Sequence, residues 1–380
     1  MKNTFKVLGV IALTAIIGFS MTACEEEDDS PKPQKSQSVI DFIDVIAYGN
    51  GKFVAVGESY NQLTETYTNK IATSTDGVTW TAVTKSVFGD DDYIHGIVYG
   101  NGKFVAVGYS INYSTETYTN KIATSTDGVT WTAVTQSVFG DDDYIHGIVY
   151  GNGKFVAYNY SKGYDNTKIA TSTDGITWTA VDFSSILIYS ISYCNGKFFA
   201  GGSSYNSSTY ASTYKIATST DGTTWTEVTQ IVFVGDYSEI RGIVYGNDKF
   251  VAIGHYYNQS TYTYTTKIVT STDGVTWTAS GFISCEYIGE IVYGNGKFVA
   301  ISSKEDGKMA TSTDGVTWTE VDIGNLFNYV ITDKDGTTYS GSYISAIVYG
   351  GGKFVAGGGD GVIATSTDGI KWTKSVINHK

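Results

Sequence analysis

One heptapeptide, Ser-x-Asp-Gly-x-x-Trp, occurs seven times between Ser74 and Trp372. Its tryptophans, Trp80, Trp131, Trp178, Trp225, Trp277, Trp318 and Trp372, are every tryptophan in the chain, and they stand 51, 47, 47, 52, 41 and 54 residues apart. A period of that length marks a repeat architecture, in which each unit is a single supersecondary motif that must stack on its neighbours to bury its faces. The 380 residues, which at ordinary domain size suggest two or three domains, then form one repeat domain over residues 39–380. A second element, first met as Tyr48-Gly49-Asn50-Gly51-Lys52-Phe53-Val54-Ala55, also recurs seven times, its later copies opening at Tyr99, Tyr150, Tyr193, Tyr245, Tyr293 and Tyr349.

Each unit reads as four short strands. In the second unit, residues 93–99 form the first strand. Asn101-Gly102 supplies a two-residue turn that favours positive φ at both positions. Residues 103–107 form the second strand, and a polar loop leads to the third at 121–125. Asp127-Gly128 turns into a fourth strand, with Val129, Trp131 and Ala133 on one face. No segment has a useful helical period, and no proline follows Pro33, as strands that need their N–H groups require. Seven units of four antiparallel strands imply an all-β, seven-bladed β-propeller. Strand exchange at ring closure is not evident, though residues 36–41 offer an extra strand for the last blade.

Ser-x-Asp-Gly-x-x-Trp resembles the Asp-box, or BNR, repeat of sialidase-like propellers, and all seven copies match in full. The resemblance covers residues 39–380. It implies that the box lies on the hairpin between the third and fourth strands. It also implies that Asp76, Asp127, Asp174, Asp221, Asp273, Asp314 and Asp368 bond their own turns, with the tryptophans covering the hairpins. Seven equivalent acids around a ring are a structural device, not catalytic groups or metal ligands. The sialidases of this fold hold a substrate carboxylate with three arginines. Here Arg241 is the single arginine, and lysine cannot replace planar bidentate forks, so sialidase activity is not expected. The Asp-box xyloglucanase type works between two tandem propellers, and this chain supplies one. Asp-box propellers that serve as assembly factors for membrane complexes rely in the photosystem case on a basic patch that is missing here.

In a propeller the first-to-second and third-to-fourth hairpins share one face, while the second-to-third loops and the crossovers share the other. The first set is nearly invariant among the units, whereas the second varies, and variable loops on a rigid scaffold are where binding resides. The second-to-third loops are read as roughly residues 58–69, 109–120, 158–167, 202–214 and 254–266. They hold half of the 30 tyrosines. Tyr60, Tyr113, Tyr160, Tyr205, Tyr210, Tyr256, Tyr257 and Tyr262 are the candidate ligand contacts, because rigid aromatic area beside Ser, Asn and Gly is the vocabulary of binding loops. The competing reading is that Tyr and Thr extend strands two and three into a longer hairpin. Residues 64–106 and 115–157 differ only at Lys85 and Gln136, a recent duplication whose shared loops are not a unique active site.

Residues 1–23 read as a secretory signal: Lys2 and Lys6, then an apolar run too short to span a membrane comfortably. Met21-Thr22-Ala23-Cys24 resembles the lipobox of bacterial lipoproteins, which implies that Cys24 is lipidated, although Met21 departs from the usual leucine. Residues 24–38 would be a tether, with five consecutive acids and then Pro31 and Pro33. The expected location is the bacterial cell envelope, facing periplasm or exterior, held by lipid alone: a net charge of −13 is a poor binder of anionic membranes or nucleic acid. Cys194 and Cys285 are read as free buried thiols. Asp90-Asp91-Asp92 and Asp141-Asp142-Asp143 could suit Ca²⁺, but solvated acidic turns are the favoured reading, so no cofactor is expected. His95, His146 and His255 lack the clustered spacing of a zinc site. The expectation is a monomeric, non-catalytic propeller that binds a glycan or protein. The alternatives are an envelope scaffold or assembly factor and, further off, a glycoside hydrolase.

Overall fold

The computed structural model describes residues 40–377, apart from 62–65, 85–86, 90–91, 136–137, 141–142, 162–166, 182, 184–185, 207–210, 230–237, 259–260, 262, 281–286, 303–306 and 333–336. The signal, Cys24, the tether and Cys285 lie outside these residues. The expected seven-bladed β-propeller forms. Each blade is a four-stranded antiparallel meander built from its own unit. Blade 1 comprises Phe42–Gly49, Lys52–Asn61, Thr66–Ser74 and Thr81–Ala82, and blade 7 comprises Ile344–Gly350, Lys353–Gly358, Val362–Ser366 and Thr373–Val376. The first strands of successive blades lie side by side, and Ile344–Gly350 returns to Phe42–Gly49, so the inner strands close around a central channel.

The core lies in the seams between blades rather than within them. At the closing seam, Ile43, Ile46, Phe53, Ala55 and Trp80 of blade 1 pack with Ala346, Val355 and Ile363 of blade 7. At the next seam, Val54, Val56 and Ile71 of blade 1 meet Ile94, Phe104, Ala106 and Trp131 of blade 2. Phe53 and Val54 are neighbours in one strand, yet they serve opposite seams. The alternation of a strand carries one side chain to each face, and both faces are buried. That is why the second strands read as unbroken apolar runs.

The recurrent turns join the blades. Asn101 and Gly102 have φ of 45° and 77°, the left-handed pair that the two-residue hairpin demands. Asn101 Nδ2 donates to Thr173 O of blade 3 at 2.7 Å, and Tyr150 OH of blade 3 donates back to Asn101 Oδ1 at 2.6 Å. Lys103 Nζ donates to Asp174 O at 2.9 Å, Lys154 to Asp221 O at 3.1 Å, and Lys353 of blade 7 to Asp76 O of blade 1 at 2.6 Å. Lys52, Lys249 and Lys297 do the same for Asp127, Asp314 and Asp368. Just before the turn, a Cβ on Gly100 would stand 2.1 Å from the Tyr150 ring, so glycine is required there. Cys194 replaces that glycine in blade 4 and packs at the seam with Tyr245. It is free and half-buried rather than fully buried, and burial pushes its thiol up to about 12.

Ring closure, one strand and one crossover differ from a plain reading of the repeats. Residues 36–39 of the strand offered to blade 7 lie outside the described residues; the described start of the chain makes a single bridge, Phe42 to Gly359, and Gly361 N–H donates to Asp41 O at 2.9 Å. The fourth strand of blade 2 is only Thr132–Val134. Val129 belongs to the turn and is exposed, because Asp127 captures its N–H. The crossover after blade 6 folds into an additional hairpin, Asn328–Thr332 with Thr338–Ser342. Its Tyr329 ring lies edge-on to Phe42 at 6.0 Å.

Candidate functional site

The Asp boxes repeat one hydrogen-bond pattern. Asp174 Oδ1 accepts the N–H groups of Ile176 at 2.8 Å and Thr177 at 2.7 Å and the hydroxyl of Ser172 at 2.9 Å. Ser172 Oγ in turn accepts Gly175 N–H at 2.8 Å, and Trp178 Nε1 donates to Gly175 O at 3.3 Å. The same carboxylate pattern holds at Asp76, Asp127, Asp221, Asp273, Asp314 and Asp368. Two backbone donors stabilise the charged form, so the carboxyls of Asp76, Asp127, Asp174 and Asp314 are held at about 2, and those of Asp221, Asp273 and Asp368 are also lowered. Trp80, Trp131, Trp178 and Trp277 are buried, whereas Trp225, Trp318 and Trp372 are partly buried against the neighbouring seams. Oδ1 of each box carboxylate is thus committed to its own turn.

The tyrosines sit differently from the loop positions expected. Strands two and three run on: Lys103–Asn112 pairs with Thr117–Ser125, and Lys249–Asn258 with Thr263–Ser271. Tyr60 lies across from Tyr67 with ring centroids 4.8 Å apart, and Tyr257 across from Tyr264 at 4.8 Å. Tyr256 carries Lys267 Nζ over its ring at 5.1 Å. Of the eight candidates, Tyr113 alone is described at a hairpin tip. It is 49% exposed, and its hydroxyl is 2.8 Å from Tyr93 OH. Tyr160 and Tyr205 lie in strands, but their side chains fall outside the described residues, as do Tyr210 and Tyr262 altogether. β-propensity and cross-strand ring pairing explain the change from loop to strand.

Tyrosines not singled out from the sequence build the larger surface. Tyr109 stacks on Tyr93 at 5.4 Å and on His95 at 5.1 Å, and meets Tyr118 at 5.4 Å and Tyr144 of blade 3 at 5.0 Å. Around blades 5 and 6, His255 stacks on Tyr287 at 4.3 Å and Tyr264 meets Tyr287 edge-on at 5.2 Å. An open groove of about 680 Å³ lies beside the first group, lined by Asp92, Ser110, Asn112, Tyr113 and Lys121 among others. Asp92 and Asp143 are not solvated acids. Both are buried; each accepts a glycine N–H, from Gly89 at 2.9 Å and Gly140 at 3.1 Å, and each pairs with a lysine, Lys121 and Lys168. Their partners Asp90, Asp91, Asp141 and Asp142 lie outside the described residues. Among the described residues no three His, Cys, Asp or Glu side chains come together to hold a metal ion.

The inner strands hold the feature that sequence reasoning missed. Each carries a β-bulge, and the residue skipped by the ladder is Asp44, His95, His146, Tyr189, Arg241, Gly289 or Ser345 in blades 1 to 7. The residue before each bulge is isoleucine: Ile43, Ile94, Ile145, Ile188, Ile240, Ile288 and Ile344, all buried. Asp44 and His95 are open to the channel solvent yet ringed by protein. Desolvation lowers His95 to about 4 and His146 to about 3, so both imidazoles are neutral. Burial raises Asp44, with Glu58 nearby adding to the rise, and pushes Glu58 and Glu290 up to about 7. Arg241 donates to Tyr287 OH at 2.8 Å and lies 5.6 Å from the centroids of Tyr189 and Tyr287.

No protein-family model matches the chain, and no curated protein matches it. Among solved structures, the β-propeller domain of the trilobed protease from Pyrococcus furiosus, described as having an open velcro topology, aligns with a TM-score of 0.53 at 9% identity, covering 90% of this chain and 97% of that one. The Pyrococcus horikoshii acylaminoacyl peptidase aligns with a TM-score of 0.56 at 10% identity over 91% of this chain and 54% of its own. The Trypanosoma rangeli sialidase gives 0.48 at 16% identity over 74% and 54%. At these identities the likeness extends to the propeller fold and not to any activity.

Proposed function

We propose that this chain is an exported, lipid-anchored propeller that binds a glycan or protein through the tyrosine-rich end of its blades, without catalysis. The observation that carries this reading is the aromatic surface centred on Tyr109, which spans blades 2 and 3 and continues into the channel through His95. Aromatic faces beside hydroxyl and amide groups bind sugar rings with little loss of side-chain entropy, so a glycan is the favoured ligand. A glycan array with the purified protein tests it. Tyr109→Ala with Tyr118→Ala should lower the signal about ten-fold or more, equivalent to roughly 1.4 kcal/mol. Undiminished binding by that folded variant overturns the assignment, and a stable cross-linked protein partner with no glycan signal would favour a scaffold instead.

One observation favours a second reading: in blade 1 the carboxyls of Asp44 and Glu58 are close enough for Glu58 to add to the rise of Asp44, and burial raises both. Glycoside hydrolysis uses two such groups at a set separation. Turnover of a glycoside panel, abolished by Glu58→Gln, would replace binding by hydrolysis.

A further inference from the structure

Blades 2 and 3 share a feature that no other blade has. Their inner strands open with the same five residues, Asp92 to Gly96 and Asp143 to Gly147. Each sets a tyrosine two places before a histidine that the strand ladder skips. A bulge re-aims a side chain and recurs beside functional sites. The other five blades carry Asp44, Tyr189, Arg241, Gly289 or Ser345 at the skipped position, so closing the ring does not require histidine there. Both copies belong to the duplicated stretch, which places one pair of side chains twice, one blade apart. The two pairs join in a single stack. Tyr93 lies on Tyr109 with ring centroids 5.4 Å apart and planes at 29°, Tyr109 on His95 at 5.1 Å and 21°, and His95 on His146 at 5.5 Å and 10°. Tyr144, the partner of His146 in the second pair, meets Tyr109 from the side at 5.0 Å.

Within the stack the faces are shared between neighbours, so a ligand running along it meets a row of ring edges and polar ring atoms. The steps are close to the length that one residue adds to an extended pyranose chain. His95 is exposed to the channel and neutral, and a neutral imidazole offers one donor and one acceptor nitrogen, as sugar hydroxyls require. Lys121 and Lys168 are already paired with Asp92 and Asp143, so neither is a surplus cation for an acidic ligand. The groove beside Tyr113 is open. An open groove admits the middle of a chain, whereas an enclosed pocket takes an end. A doubled site with even steps suits a ligand that is itself a repeat. Resting on the glycan reading above, we propose that the stack from Tyr93 to His146 binds an internal run of an uncharged linear glycan, about one sugar residue to each of its four rings.

Calorimetry on the purified full chain tests this with cello-, xylo-, laminari- and malto-oligosaccharides, from the disaccharide to the hexasaccharide of each. In at least one series, affinity should rise about ten-fold or more from the disaccharide to the tetrasaccharide, a margin of roughly 1.4 kcal/mol, and level off beyond it. His146→Ala should return that tetrasaccharide to the level of the disaccharide. It should leave the disaccharide itself nearly unchanged, since the blade 2 half of the stack still holds it. The length profile of the parent protein decides the case by itself if His146→Ala fails to fold. A disaccharide bound as tightly as its tetrasaccharide, a tetrasaccharide indifferent to His146→Ala, or tetragalacturonate bound more tightly than every neutral tetrasaccharide each overturn the proposal and leave glycan binding standing. No binding in any series overturns it as well, and the glycan array then decides whether the wider reading survives.

Discussion

The two ends of the inner strands follow opposite rules. Where Tyr93–Tyr99 and its six counterparts run into the Asn-Gly turn, nearly every blade repeats the same parts. A glycine lies under the next blade's tyrosine and a lysine reaches the next Asp box, and in blades 2 and 5 an asparagine also grips that tyrosine's hydroxyl. Near the start of the strand, the bulge position varies from Asp44 to Arg241. The first end faces another blade, so each seam must reproduce one geometry if seven blades are to close. The second faces solvent in the channel, where closure places no demand on side-chain identity. Repetition in this chain therefore marks assembly, and departures from repetition mark surface free to acquire a ligand.

Substitutions at the two ends can break that contrast. The largest effect is expected at a seam: Trp178→Ala should cost about 3–5 kcal/mol in chemical denaturation, the usual loss for a buried tryptophan. Gly100→Ala, whose new methyl would press on Tyr150, should cost about 1–3 kcal/mol by overpacking. The pH profile comes next. Asp76, Asp127, Asp174 and Asp314 sit at about 2, below the ordinary value near 3.8. Their contribution is complete above about pH 4 and lost as pH falls through about 2. Glu58 and Glu290, raised to about 7, act in the opposite sense. The folded chain retains protons that the unfolded chain releases from about pH 4.5 upward, so stability falls as pH rises to about 7. Melting temperatures should peak near pH 4 to 5, and Glu290→Gln should flatten the decline above it.

Lys103→Met, which removes a bond to Asp174 O, should cost about 1 kcal/mol. His95→Ala should cost about 0.5–1 kcal/mol, the loss of its ring contacts with Tyr109 and His146. If His95→Ala costs as much as Gly100→Ala, the bulge ring is part of the fold's framework and the contrast fails.

Much of this was legible in the residues. The Asn-Gly and Asp-Gly turns, the tryptophan spacing and the apolar second strands each point to the same blade, because a hairpin is local and its turn chemistry is explicit. The length of the outer hairpins was not legible, since Tyr and Thr suit both a binding loop and a strand; pairing such as Tyr60 with Tyr67 decides it. The bulge ring was missed although a signal existed. Aligning the seven units shows an isoleucine followed by a residue that changes from blade to blade, but that this residue leaves the ladder is a matter of strand register. The lysine and asparagine bonds were also missed, because their partners lie 46 or more residues away.

The sequence by itself determined the number of blades, the strand order within each and the chemistry of both invariant turns, since all of these depend on neighbours a few residues apart. Only the tertiary structure decided which faces meet. It placed Phe53 and Val54 in different seams, turned seven separate hairpins into a ring fastened by Lys353 and Ser345, and drew Asp44, His95, His146 and Arg241 to one channel from positions spread over some two hundred residues. Those outcomes follow from closing the circle, which brings the first strand of every blade to a common axis however far apart the units lie in the chain.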